Sequence, residues 1–152
     1  MSDFYSMNSF YIDKEKKVVD PKLFTETAEE IANTFVSKGK DSEGNPFYGV
    51  SGSQLRRFFD EAKRFKQNLD GTKPTWDIYF PQIRMIKAKV RYNTARVYFK
   101  KPKEKDVYDS LSSFVTKCID IIKDEKEYNA FISLFEAVYG YYYPKAPKRA
   151  RD

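Results

Sequence analysis

Ile78-Tyr-Phe-Pro-Gln-Ile-Arg-Met-Ile-Lys-Ala-Lys-Val-Arg-Tyr-Asn-Thr-Ala-Arg-Val-Tyr-Phe-Lys-Lys-Pro-Lys103 holds eight basic residues and no acidic one. Advanced at 100° per residue, Ile83, Ile86, Val90 and Val97 fall within about 60° of one another, so the stretch reads as a long amphipathic helix with one core face. Arg84, Lys87 and Arg91 line one border of that face, and Lys89 and Arg96 line the other. An ordinary solvated helix intersperses carboxylates at i±4, whereas here like charges stand three and four apart and repel by tenths of a kcal/mol each. An external anion relieves that repulsion.

The rest of the chain sharpens the contrast. Residues 1–50 carry 6 basic and 9 acidic groups, residues 51–103 carry 14 and 4, and residues 104–152 carry 8 and 9. The formal charge of +6 is therefore the work of the middle third. A surface polarised in this way attracts a polyanion through its long-range field and through counterion release, which makes RNA or DNA the first candidate partner.

Composition narrows the chemistry. The 152 residues, 41% of them hydrophobic, suit a single domain with a real core. No histidine is present, which removes the commonest general base, the commonest metal ligand and every Ser/His or Cys/His arrangement. No phosphate-binding glycine fingerprint appears, since Gly49 to Gly52 reads only G-V-S-G. The expectation is no enzyme, no catalytic residue, no metal and no cofactor. The single Cys118 sits among Phe114, Val115, Ile121 and Ile122 and reads as a core thiol. No apolar run approaches 18 residues and no signal-peptide pattern opens the chain, so the expectation is a cytoplasmic protein without a membrane partner.

Period and punctuation predict an all-α, single-domain bundle of about five helices, with residues 1–19 as an N-terminal aromatic arm, 20–143 as the bundle and 144–152 as a basic mobile tail. Asp20-Pro21 caps a first helix that runs through Phe35 to a stop at Gly39, and residues 40–49 form a loop. Ser51 or Ser53 caps a second helix with the stripe Leu55, Phe58, Phe59, Ala62, Phe65 and Leu69, ended by Asp70-Gly71. Thr75 caps the third, which Pro81 either kinks or divides near Phe80. Pro102 breaks the basic helix; a fourth runs from about Asp106 to Lys123, and a largely buried fifth runs from Tyr128 to a stop at Pro144. Among the aromatics interleaved with the basic residues, Phe99 reads as core, while Tyr92 and Tyr98 suit either packing or base stacking. Glu136, beside the last stripe, reads as a partner for Lys or Arg.

Three stretches then resemble a known family. Ser51-Gly-Ser-Gln-Leu-Arg-Arg-Phe58 is similar to an S-Q-[LI]-R-x-F helix start. Pro81-Gln-Ile-Arg-Met-Ile-Lys-Ala-Lys-Val-Arg91 is similar to a proline-led basic helix, and Phe131-Ile-Ser-Leu-Phe-Glu-Ala-Val-Tyr-Gly-Tyr141 to an F-x-x-F-F-E-A-[IV]-x-A-Y ending. In their order and spacing they resemble the small subunit of type III-A (Csm) CRISPR effector complexes, over about residues 50 to 143. Leu134, Gly140 and Tyr142 depart from that pattern, standing where the family has an aromatic, an alanine and frequently a histidine.

The resemblance implies a non-catalytic helical subunit, repeated along a guide-RNA complex, that touches the guide RNA and target RNA backbones, other subunits of the complex and further copies of itself. By position it points to Arg56, Arg57, Arg84, Lys87, Lys89 and Arg91. Arg96, Lys100 and Lys101 complete the expected RNA-binding set on charge. The competing expectation is a helical adaptor whose basic face binds an acidic protein.

Overall fold

The computed structural model describes residues 2–71 and 76–148. Its elements are α1 (Ser2–Ser6), a two-stranded antiparallel hairpin of β1 (Tyr11–Asp13) and β2 (Val18–Val19), and then α2 (Glu26–Asn33), α3 (Gly52–Gly71), α4 (Trp76–Arg84), α5 (Ile86–Lys100), α6 (Lys105–Ile121) and α7 (Glu125–Tyr142). The expected all-α single domain is what forms, with the small hairpin as an addition. Lys17, at φ 54°, closes the turn between the two short strands, and a turn of this kind carries too few residues to leave an alternating pattern.

The last helix is the hub. Tyr128, Phe131, Phe135, Val138 and Tyr142 are buried along α7, which packs on α2 and α3. Phe135 meets Phe59, Phe114 and Phe131 at ring-centroid distances of 5.6, 5.7 and 5.9 Å. Phe4 and Phe10 reach the same core from the first 19 residues. Asp124 caps α7, its carboxylate accepting from the Glu127 N–H at 2.8 Å. Cys118 is buried on α6, and burial pushes its thiol well above the ordinary range. A thiol held protonated there is a packing residue, as the sequence suggests.

Three expectations are corrected. The helix expected from Asp20 to Gly39 is a 3₁₀ turn, Pro21–Phe24, followed by α2, which ends at Asn33. The Asp20 cap forms, its carboxylate accepting from the Lys22 N–H at 3.0 Å. Thr25 then leaves helical geometry at φ −125°, ψ −91°. Beyond Asn33 the chain turns so that Val36 bridges to Gly49 and the Ser37 N–H donates to the Tyr48 carbonyl at 2.8 Å. These long-range backbone bonds outcompete two further helical turns.

Phe99 is the second correction: it is 75% exposed on the outward side of α5 rather than in the core. Glu136 is the third. The buried face of α7 turns it outward, where it is exposed and has no ion-pair partner among the described residues. The cap expected at Thr75 lies outside the described residues.

Pro81 divides the third helix less sharply than expected. α4 runs through it to Arg84, and the Met85 N–H donates to the Pro81 and Gln82 carbonyls at 3.3 and 3.1 Å. The Lys89 N–H then donates to the Met85 carbonyl at 3.1 Å, so α4 and α5 form one nearly continuous rod. Ile83, Ile86, Val90 and Thr94 bury its inner face, chiefly against α6. Residues 143–148 close the fold, with Ala146 buried and its N–H on the Tyr142 carbonyl at 3.0 Å.

Candidate nucleic-acid interface

Ser51 begins the site. Its N–H donates to the Tyr108 hydroxyl at 3.0 Å, which ties the start of α3 to α6, and its hydroxyl receives the Gln54 N–H at 3.4 Å. Burial pushes the Tyr108 phenol above its ordinary value, so that the group stays neutral in this role. Leu55 and Phe58, buried beneath α3, fix the helix rotation that turns Arg56 and Arg57 outward.

Between the first turns of α3 and the second half of α5 lies an open cleft of about 420 Å³. Arg57, Arg96, Lys100 and Lys101 line it together with Ser51, Gln54, Asn93, Val97 and Tyr108, and no carboxylate does. The N-terminus of the 20-residue α3 opens onto the same space, adding the positive end of its dipole and backbone N–H groups. Arg57 and Lys100 have no ion pair or hydrogen bond among the described residues, and Lys101 has only Glu104, at 4.0 Å. The Arg96 guanidinium lies 5.6 Å from the centre of the Tyr92 ring. What the cleft can do chemically is hold anions in an extended row.

The other expected residues are placed differently. Arg84 donates from Nη1 to the Ile119 carbonyl at 3.1 Å, and its guanidinium lies over the Phe80 ring. Lys87 pairs with Asp120 of α6, and Lys89 pairs with Glu61 of α3 at 2.8 Å. Arg91 is exposed and has no partner among the described residues. Arg56 lines a separate shallow cleft with Phe59, Asp60, Glu136 and Tyr139, where two carboxylates offset it. The fold thus brings four of the nine expected cations together, ties three to internal acceptors and leaves Arg56 and Arg91 apart.

One polar residue escaped the sequence reading altogether. Glu127 is 2% exposed and accepts from the Phe10 and Lys123 N–H groups at 3.2 and 3.1 Å. Its place three residues after the Asp124 cap was the available signal. Among the described residues no group of His, Cys, Asp and Glu is arranged to hold a metal ion, and no helix is long and apolar enough to cross a membrane.

The profile of the family described as Csm2 Type III-A matches residues 19–147, which takes in every helix from α2 to α7 and the whole of the cleft. The chain belongs to the type III-A Csm2 family. It is accordingly a small subunit of a type III-A CRISPR complex, and it associates with the other subunits of the Csm effector. The family match reaches about thirty residues further towards the N-terminus than the motifs do, and so includes α2 and the loop that carries Gly49. No curated protein and no solved structure matches the chain.

Proposed function

We propose that this subunit is a non-catalytic RNA-backbone binder, and that the phosphates of a guide or target strand run through the cleft of Arg57, Arg96, Lys100 and Lys101. The observation that carries this reading is the four cations on one open surface at a helix N-terminus with no carboxylate among the lining residues. Phosphates are held by charge and by N–H donors irrespective of base, so binding is independent of sequence. Arg91 extends the same positive field along α5. A non-catalytic role accords with a chain that contains no histidine, the usual proton carrier near neutral pH. In a complex that repeats the subunit, each copy adds its own phosphate contacts, and the row of cations along the RNA lengthens with copy number. We place this activity in the cytoplasm, where guide-RNA complexes meet their targets.

The test is the affinity of the full-length chain for unrelated single-stranded RNAs across a salt series. Replacing Arg57, Arg96 and Lys100 together with Ala is expected to weaken binding about equally for every sequence. It is also expected to flatten the slope of log K against log salt by about 2, at roughly 0.7 per phosphate contact. Replacing Lys14, Lys16 and Lys17 removes the same formal charge from the exposed hairpin turn. Equal losses in the two triple variants would show that only net charge matters, and the cleft assignment would fail.

A further inference from the structure

Ile78, Met85, Tyr92 and Phe99 recur at every seventh residue and are 58, 59, 64 and 75% exposed. Ala88 and Ala95 stand at the intervening positions three residues on, the first exposed and the second half-buried. Along the nearly continuous α4–α5 rod this is a heptad seam, and at 100° per residue it lies about 180° from the buried face of Ile83, Ile86, Val90 and Thr94. The rod therefore has two apolar faces, with the basic rows between them. Arg84 and Arg91 flank the middle of the outer seam on one side and Lys89 and Arg96 on the other, while Asp77 and Gln82 flank its start in α4 and Tyr98 flanks its end.

Monomeric proteins seldom leave a contiguous apolar surface of this kind uncovered unless something docks on it. A seam repeating every seven residues matches another α-helix, which advances by the same ~10.5 Å per heptad. The small Ala88 and Ala95 let a second backbone approach between the larger side chains. Stacked bases, about 3.4 Å apart, do not match that interval, and Ile78 and Met85 have no ring to offer them. A second copy docking through the same face would set cation against cation along both edges. Arg91 and Arg96 have no ion-pair partner among the described residues, and they are the charges open to a partner's carboxylates.

We propose that the outer face of the α4–α5 rod, Ile78–Met85–Tyr92–Phe99, is a docking site for an amphipathic α-helix of a partner protein whose apolar seam is flanked by Glu or Asp. This goes beyond the RNA reading, because the face is turned away from the core and shares only Arg96 with the cleft. The partner helix lays its apolar residues between Met85, Tyr92 and Phe99, and its carboxylates meet Arg91 and Arg96.

The test uses the full-length chain and two synthetic helical peptides of four heptads, both with a Leu/Ile seam, one flanked by Glu and the other by Lys. The Glu-flanked peptide is expected to bind, and the Lys-flanked one is not. Met85→Ser and Phe99→Ser combined, which leave the Tyr92 ring against Arg96 in place, are expected to weaken Glu-peptide binding by about tenfold or more, as loss of a central apolar cluster does. The thermal melt and the RNA affinity are expected to stay unchanged. Failure of the Glu-flanked peptide to bind, or equal binding of the two peptides, overturns the proposal. A loss of RNA affinity in the double-Ser variant reassigns the face to nucleic acid and also overturns it. So does a wild-type dimer in sedimentation that the variant dissolves, since the seam would then be a self-interface. The double-Ser variant keeps every cation of the cleft and the cleft triple variant keeps Met85 and Phe99, so the two proposals are tested separately although Arg96 belongs to both.

Discussion

The carboxylate of Glu127 on α7 holds Phe10 in the core: its Oε2 accepts from the Phe10 N–H at 3.2 Å and from the Ser9 hydroxyl at the same distance. Oε1 takes the Lys123 N–H at 3.1 Å, one residue ahead of the Asp124 cap. A single buried carboxylate thereby joins the N-terminal residues to the start of the last helix. Glu127→Ala strands these donors in a buried setting, and the expected loss of folding stability is about 1 to 3 kcal/mol. Denaturant midpoints of the two proteins measure it; a difference near zero would mean that water replaces the carboxylate without loss.

Asp124 predicts a pH dependence. Burial pushes its carboxyl up, but the Glu127 N–H, the Tyr11 hydroxyl and the Lys17 ammonium together outweigh burial and hold it below the ordinary carboxylate value. A depressed folded-state pKa contributes stability above the unfolded value of about 3.9, and that contribution is lost as the pH falls through the lower folded value. Asp124→Asn keeps a capping side chain and removes the titration. The acid limb of its stability curve below about pH 4 is expected to be shallower than that of the wild type. Unfolding followed from pH 2 to 7 on both proteins checks the sign; coincident curves would remove Asp124 from the account.

Gly49 has no room for a side chain. A Cβ there would meet the Tyr142 hydroxyl at 2.6 Å and the Phe35 carbonyl at 3.0 Å. That hydroxyl donates to the Val50 carbonyl at 2.6 Å, which fixes the loop against α7. Gly49→Ala is expected to cost about 1 to 3 kcal/mol by overpacking. In a Tyr142→Phe background the increment is expected to be smaller, because the nearest atom has gone. A double-mutant cycle read by thermal unfolding decides it, and strict additivity would contradict the contact.

The three tied cations separate structural from binding roles. Arg84→Ala, Lys87→Ala and Lys89→Ala together remove the contacts to Ile119, Asp120 and Glu61. The expected cost in stability is about 1 to 2 kcal/mol, since exposed pairs contribute roughly 0.2 to 1 each. RNA affinity is expected to fall less than in the cleft triple variant, because these charges already have acceptors. If this triple has the larger effect on the salt slope, the strand runs along the α6 side of the rod instead.

Much of this was legible in the sequence. The helical period marks α3, α5, α6 and α7, because an apolar stripe every 3.6 residues is what one-sided burial of a helix demands. Asp20 and Pro102 punctuate the chain where they stand, since capping and a missing N–H are local effects. The family-like motifs and the charge concentrated in residues 51–103 need no fold to be seen.

What only the tertiary structure decided is where long side chains and long-range backbone bonds end. On a helical wheel Lys87 shares a border with Arg91 and Lys89 shares the other with Arg96, yet Asp120 and Glu61 arrive beside the two lysines from other helices and no carboxylate among the described residues pairs with either arginine. Val36 leaves its helical pattern because Gly49, thirteen residues on, offers it a bridge. Phe99 points outward because the inner face of α5 is already filled by Ile86, Val90 and Thr94. Helix formation depends on neighbours within four residues and is written locally; ion pairing, bridging and the choice of which apolar face is covered depend on residues brought together by packing.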